Sequence, residues 1–270
     1  MPNLTLEGEN AVTMNSTLKD RSALVLGSTS GLGLAIAEGL AAEGARVAFT
    51  GRRGDSARRV AERYSGALGL ELDLADARSV ERGLELVTDT FGEVDILVLN
   101  SGGPPFGTAT ALTGSALETS LRTLVLVQID IVARLLPAMR TRKWGRIVGV
   151  GSSGIEQPIP GLVHSNAARA ALDGYLKTLS REIAADGITV NMVLPGRIDT
   201  DRVNQLDGFR AEASGADPAS VRAQAEQAIP IGRYGTPEEF ANVVVFLCGD
   251  KASYVTGTHI RVDGGLVSSY

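Results

Sequence analysis

The sequence is poor in the residues that carry thiol and metal chemistry. Its 270 residues include one cysteine and two histidines, His164 and His259. A single cysteine excludes an internal disulfide, which suits a reducing cytoplasm. No Cys/His cluster exists from which a transition-metal site would be assembled. Cys248 itself ends the apolar run VVVFLC and reads as a core residue rather than a reactive thiol. Aromatics make up only 4% of the chain, and no apolar run approaches the ~20 residues of a membrane-spanning helix. The opening stretch MPNLTLEGENAVTMNSTLKD lacks the basic-then-apolar order of a secretory signal. A net charge of −5 argues against a nucleic-acid-seeking surface, and 44% hydrophobic residues argue against disorder. What remains is a cytoplasmic globular chain, long enough for one large α/β domain, whose partner is a small molecule.

Short apolar runs alternate with helix-like stretches along the chain. Residues 1–18 are polar and aperiodic and are expected to form a flexible arm, with Met14 a candidate natural start, so that the folded domain covers 19–270. Strands are predicted at 22–26, 46–50, 67–72, 94–100, 147–150, 188–195 and 259–262. Helices are predicted at 34–44, 55–64, 77–91, 118–139, from near Ser165, and at 237–247. Residues 199–227 are polar and alanine-rich, and fit a pair of lid helices or a mobile insertion. Strands alternating with helices in this way predict an α/β fold, a single-domain doubly wound parallel sheet with helices on both faces.

The stretch GSTSGLG, residues 27–33, lies between the first strand and the first helix. Glycines there permit a tight turn and close backbone approach, and the helix N-terminus offers free N–H groups to a pyrophosphate. Gly27, Ser28, Ser30, Gly31, Leu32 and Gly33 are therefore candidate cofactor contacts. A carboxylate at the end of the second strand would read the ribose of NAD(H) and repel a 2′-phosphate. This chain carries Gly51 there, followed by Arg52 and Arg53. Guanidinium groups pair with phosphate, so NADP(H) is favoured over NAD(H).

A second concentration of chemistry lies in GRIVGVGSSGIEQPIPGLVHSNAARAAL, residues 145–172. A buried strand delivers Ser152 and Ser153 to the carboxyl edge of the sheet, where open α/β folds bind ligands. The helix that follows carries Ser165 and Arg169 four residues apart, on one face. Two hydroxyls and a permanent cation converging there form a candidate catalytic site of Ser152, Ser165 and Arg169. His164 lies about a third of a turn round the helix from Ser165, and Tyr175 is expected on another side. Glu156 and Gln157 are candidates to line the pocket, and Arg197 either meets an anionic substrate or stands solvated. The apolar, proline-containing pocket loop points to a neutral organic carbonyl.

With these residues together, the chain resembles the classical short-chain dehydrogenase/reductase family, over about residues 20–267. The likeness rests on GSTSGLG, on Leu72-Asp73-Leu74, on Asn100-Ser101-Gly102-Gly103, on the Ser152 strand, on Asn191 with Pro195-Gly196, and on Val262-Asp263-Gly264-Gly265. It implies a Rossmann-like domain assembled into homotetramers or homodimers, with the long helix and the Ser165 helix packed between subunits. It also implies that Asp73 and Leu74 bracket an adenine, and that Asn100 and Gly102 line the cofactor groove. Pro195, Gly196, Ile198 and Thr200 are implied at the nicotinamide end, and Arg169 at its ribose.

The catalytic pattern departs from the family. A serine, a tyrosine, a lysine four residues on and an upstream asparagine are the family's working groups. Ser152 matches the serine. Ser165 stands where the tyrosine belongs, Arg169 where the lysine belongs, and Leu124 where the asparagine belongs. A serine hydroxyl is a far weaker and shorter acid than a phenol, and an arginine does not shuttle protons near neutral pH. The chain is thus expected to be an NADP(H)-dependent oxidoreductase of a ketone or secondary alcohol, with a non-standard proton donor. The alternatives are a non-redox enzyme (a dehydratase, cyclase or lyase) and a catalytically silent cofactor-binding protein. Halohydrin dehalogenases keep the tyrosine and replace the glycine loop, so they do not fit.

Overall fold

Strands that are apolar on both faces must be covered on both faces, and the computed structural model, which describes residues 18–269, shows this arrangement. The strands are β1 (Ser22–Val25), β2 (Arg46–Gly51), β3 (Leu68–Glu71), β4 (Ile96–Leu99), β5 (Gly145–Val150), β6 (Ile188–Pro195) and β7 (His259–Val262). They form one seven-stranded sheet in the order β3-β2-β1-β4-β5-β6-β7, and every neighbouring pair is parallel. The order reverses between β1 and β4, so the crevice beyond their carboxyl ends is where this architecture receives a ligand.

Helices α1 (Gly31–Ala42), α2 (Gly54–Ala61), α3 (Ala77–Phe91), α4 (Gly114–Leu121), α5 (Val127–Arg142), α6 (Val163–Ile183), α7 (Asp201–Ser214), α8 (Pro218–Gln227) and α9 (Pro237–Cys248) connect the strands. The period-2 alternation of the strands divides the core into two layers. Leu24, Leu97 and Ile147 pack with Leu84, Ile131 and Leu172 of α3, α5 and α6. Val25, Phe49 and Val98 face the other way, onto Ile36, Leu40, Phe240 and Val244 of α1 and α9. Fully burying a side chain of this size contributes about 1.5–3 kcal/mol relative to exposure, so these two layers fix the sheet on which the loops stand. Cys248 lies in the second layer, and burial pushes its thiol up to about 12.

Leu18, the last residue of the expected arm, belongs to the fold: it is fully buried and its N–H donates to Glu43 O at 3.2 Å. The remainder of that arm, with Met14, lies outside the described residues. The single helix expected at 118–139 is instead α4, a π turn at Arg122–Leu126, and α5. Thr123 Oγ1 donates to the Ser120 and Thr119 carbonyls at 3.3 and 3.5 Å, a local competition of the kind that loosens a helical ladder. Residues 199–227 form the paired helices α7 and α8, capped by Thr200 and by Asp217, with Gly215 ending α7 in the left-handed region. Among the described residues no helix is long and apolar enough to cross a membrane.

Candidate active site

The glycine loop leaves β1 and enters α1 without a side-chain cap, because Ser30 makes no capping hydrogen bond. The first N–H groups of α1 therefore remain available to an anion. Asn100, at the end of β4, pins the loop by donating Nδ2 to Leu26 O and Gly27 O, both at 3.1 Å. Gly33 is required by close approach: a Cβ there would lie 2.3 Å from Gly27 O. Ser28 departs from the sequence reading. Its Oγ donates to Val25 O and accepts the Thr50 N–H, both at 2.8 Å, so this fully buried hydroxyl ties β1 to β2 and is not presented to a ligand.

The carboxyl end of β2 lies against the same loop. A Cβ on Gly51 would meet Thr29 Cγ2 at 2.8 Å, so a carboxylate at position 51 has no place unless Thr29 moves. Arg52 and Arg53 follow, exposed, and neither has an ion pair or a side-chain hydrogen bond among the described residues. They stand beside the cleft rather than in its lining, as do Asp73 and Leu74 after β3. Asp73 turns its carboxylate to the Ala75 N–H at 3.0 Å, and Leu74 packs on the core.

The cleft itself has a volume of about 1240 Å³. It brings together Gly27, Ser30, Gly31, Leu32, Gly33, Asn100, Gly102, Ser152, Ser165, Arg169, Pro195, Gly196, Ile198 and Thr200. Ser152 follows β5, and its Oγ accepts the Gly154 N–H at 3.0 Å. One lone pair is thus occupied, and the O–H is left to donate into the cleft. Ser165, in the first turn of α6, is 6% exposed, and its hydroxyl has no hydrogen-bond partner among the described residues. One turn on, Arg169 Nη1 donates to Val150 O. Burial, with repulsion from Arg202, lowers the Arg169 pKa to about 10. It remains a cation at neutral pH.

Several neighbours are placed by contacts that the sequence does not show. His164 lies outside the cleft lining, with Nδ1 2.9 Å from Ser120 Oγ, so it turns away as the helical spacing predicted. Tyr175 packs on the core of the α6 layer, and burial raises its pKa. Leu124 is buried in the π turn, which leaves no amide where the asparagine would stand. Gln157 lines the cleft, but Glu156 does not. Glu156 is held by Arg261 at 2.6 Å and by His259 at 3.4 Å, both on β7. Arg197 lines the cleft and is not solvated: Asp207 binds it at 2.5 Å, and Tyr234 Oη donates to the same carboxylate at 2.7 Å. Arg202, Leu206 and Phe209 of α7 also line the cleft. All three went unread in the sequence; the short run from Pro195-Gly196 to Arg202 was the signal that could have found that arginine.

A family model described as enoyl-(acyl carrier protein) reductase matches residues 27–267. The chain is 37% identical over 246 residues to the 3-oxoacyl-[acyl-carrier-protein] reductase FabG of Escherichia coli, covering 90% of this chain and 96% of that one. The chain belongs to the classical short-chain dehydrogenase/reductase family. Two solved structures of this family extend the match. L-sorbose reductase of Gluconobacter frateurii, complexed with NADPH and L-sorbose, superposes with a TM-score of 0.86 at 33% identity, covering 95% of this chain and 100% of that one. YwfH, an NADPH-dependent reductase involved in bacilysin biosynthesis, gives a TM-score of 0.87 at 27% identity, covering 93% and 99%. The family assignment makes the protein an enzyme of the NAD(P)-dependent oxidoreductase class.

Proposed function

We propose that the protein is an NADP(H)-dependent reductase of a ketone, or dehydrogenase of the matching alcohol, that works without a tyrosine acid. The observation that carries this reading is one cleft lined by both an intact glycine-loop cradle and the Ser152–Arg169 pair. Bound NADPH supplies the hydride. The free N–H groups of α1 and the close-packed Gly33 accommodate a pyrophosphate. Arg52 and Arg53 offer unpaired guanidiniums to a 2′-phosphate, and Gly51 presents no carboxylate to repel it. Two NADPH-associated neighbours support the same preference.

At the reacting carbon, Ser152 donates its O–H to the substrate oxygen while Gly154 holds its lone pair. Arg169 stabilises the developing alkoxide by its charge. Its proton does not move at neutral pH, so the alkoxide takes a proton from water or from a hydroxyl of the substrate itself. Ser165 Oγ, which has no partner among the described residues, holds that water. The same reading carries an assembly of two or four copies through the α4–α5 and α6 surfaces, where Leu126 is 49% exposed. It also carries a cytoplasmic setting for a chain with one buried thiol. A second reading is a non-redox dehydratase, cyclase or lyase that uses Ser152, Ser165 and Arg169, which share one cleft, around an anionic intermediate. Product formation without any nucleotide is its signature.

Thermal stability across titrations of NADPH and NADH tests the cofactor reading. A ligand that binds only the folded state adds about 2.7 kcal/mol at a hundred times its dissociation constant. NADPH is expected to raise Tm at concentrations where NADH does little, and Arg52→Ala with Arg53→Ala is expected to erase the difference. Equal stabilisation by the two nucleotides removes the NADP(H) preference, and no stabilisation by either removes the redox reading.

A further inference from the structure

The α7 wall of the cleft carries a cation, Arg202, to which the reading above gives no part in holding the cofactor or the reacting oxygen. Arg202, in the first turn of α7, reaches across the loop after β4 and donates Nη2 to Pro104 O at 2.6 Å. Its path is open because residue 103 is glycine: a Cβ there would lie 2.2 Å from Arg202 Nε. The guanidinium carbon sits 4.1 Å from the centroid of the Phe106 ring, which stacks on Phe209 of α7 with centroids 5.0 Å apart. A carbonyl and an aromatic face thus fix the group, and it lines the same cleft as Ser152 and Arg169.

Its charge has no protein counterpart. Among the described residues neither Arg202 nor Arg169 has a carboxylate partner, and each makes one side-chain hydrogen bond, to a backbone carbonyl. The acids lining the cleft are Asp199, which Arg222 binds at 2.7 Å, and Asp201, which is exposed at the start of α7. Arg197 already has Asp207, and Arg210 adds a further cation to the lining. Burial lowers the pKa of both Arg202 and Arg169, and Arg202 adds repulsion at Arg169. Like charges in a partly dehydrated cleft favour an anionic ligand.

We propose that the substrate is an oxo acid whose carboxylate is bound by Arg202, with its carbonyl toward Ser152 and an apolar body against Leu206 and Phe209. The carbonyl half of this assignment rests on the reductase reading; the carboxylate subsite stands on Arg202. It replaces the neutral carbonyl suggested by the loop composition. A planar guanidinium held on one edge still offers a fork of N–H donors to a carboxylate.

The test is calorimetric titration of the NADP⁺-loaded protein with a panel of six- to ten-carbon 2-, 3- and 4-oxo acids and their methyl esters. At least one acid is expected to bind about 10-fold or more tightly than its ester, the size of a charge-assisted hydrogen bond. Arg202→Met is expected to erase that preference while leaving the NADPH dissociation constant within about twofold. Arg202→Lys, which keeps charge without the fork, restores part of it. Equal binding of acids and esters, or no binding by any acid, overturns the subsite. A loss of NADPH affinity in Arg202→Met as large as the loss of acid affinity also overturns it, assigning the guanidinium to a cofactor phosphate. NADPH oxidation is scored separately. Acid binding without turnover keeps the subsite and removes the reductase reading, whereas equal reduction of acids and esters does the reverse.

Discussion

Arg169→Met is expected to make the ligand-free protein more stable and the enzyme nearly inactive. The Arg169 side chain is half-buried on α6, with one carbonyl, Val150 O at the end of β5, as its hydrogen-bond partner and no carboxylate among the described residues. Burial first, and Arg202 second, lower its pKa from the usual guanidinium range to about 10. A base whose folded pKa lies below its unfolded pKa costs stability wherever both states are protonated. At neutral pH the cost is on the order of 1–3 kcal/mol, and an apolar side chain of similar length relieves it. A rise of about 5 °C in Tm follows for a domain of this size. The sign carries a pH signature. As pH rises above about 10 the folded wild type sheds this proton before the unfolded chain does and recovers stability, so the gap between variant and wild type narrows. Turnover moves the other way, by about 10²–10³, because a preorganised charge at the developing alkoxide is lost. Melting curves without nucleotide, beside NADPH oxidation rates, check both halves. A fall in Tm would assign Arg169 to structure, as a cap on the Val150 carbonyl.

The division between what was legible in the chain and what was not follows sequence distance. The central strands were readable because they are apolar on both faces, and GSTSGLG because a strand precedes it and an apolar helix follows. Ser152, Ser165 and Arg169 were readable because one strand and one helix carry all three, and the structure places them on one cleft. Ser28 was not: it lies within the loop motif, but its hydroxyl direction depends on Thr50, on another strand. Glu156 was not readable at longer range: its partners Arg261 and His259 arrive from β7, and no local spacing announces an ion pair closed by the fold. Arg197 takes Asp207, ten residues on, and only the turn from β6 into α7 brings the two together. The π turn at Arg122–Leu126 was hidden in an apolar stretch with acceptable helical periodicity. Arg202 was visible as a residue, whereas the glycine that lets it cross the cleft stands at position 103.

Ser152→Ala and Ser165→Ala are expected to separate sharply, although both remove a hydroxyl from the same cleft. Ser152 Oγ is oriented by the Gly154 N–H at 3.0 Å, so its proton has one direction left, toward the substrate oxygen. Removing a preorganised donor of this kind lowers kcat by about 10²–10³ with little change in NADPH affinity. Ser165 has no partner to orient it, and a serine is too short and too weakly acidic to take over a phenol's task. Its loss should cost less than the ~10² that a positioned general acid supplies. The pH profile gives the independent check. Neither serine titrates near neutrality, and Arg169 does so only at about 10. The rate of the hydride-transfer step is therefore expected to be flat from about pH 6 to 9, without the ionisation that a tuned tyrosine would impart. A titration inside that window would reveal an acid at work beyond the cleft-lining groups Ser152, Ser165 and Arg169. A flat profile with a large Ser152 effect and a small Ser165 effect would leave solvent, or the substrate's own hydroxyl, as the proton source.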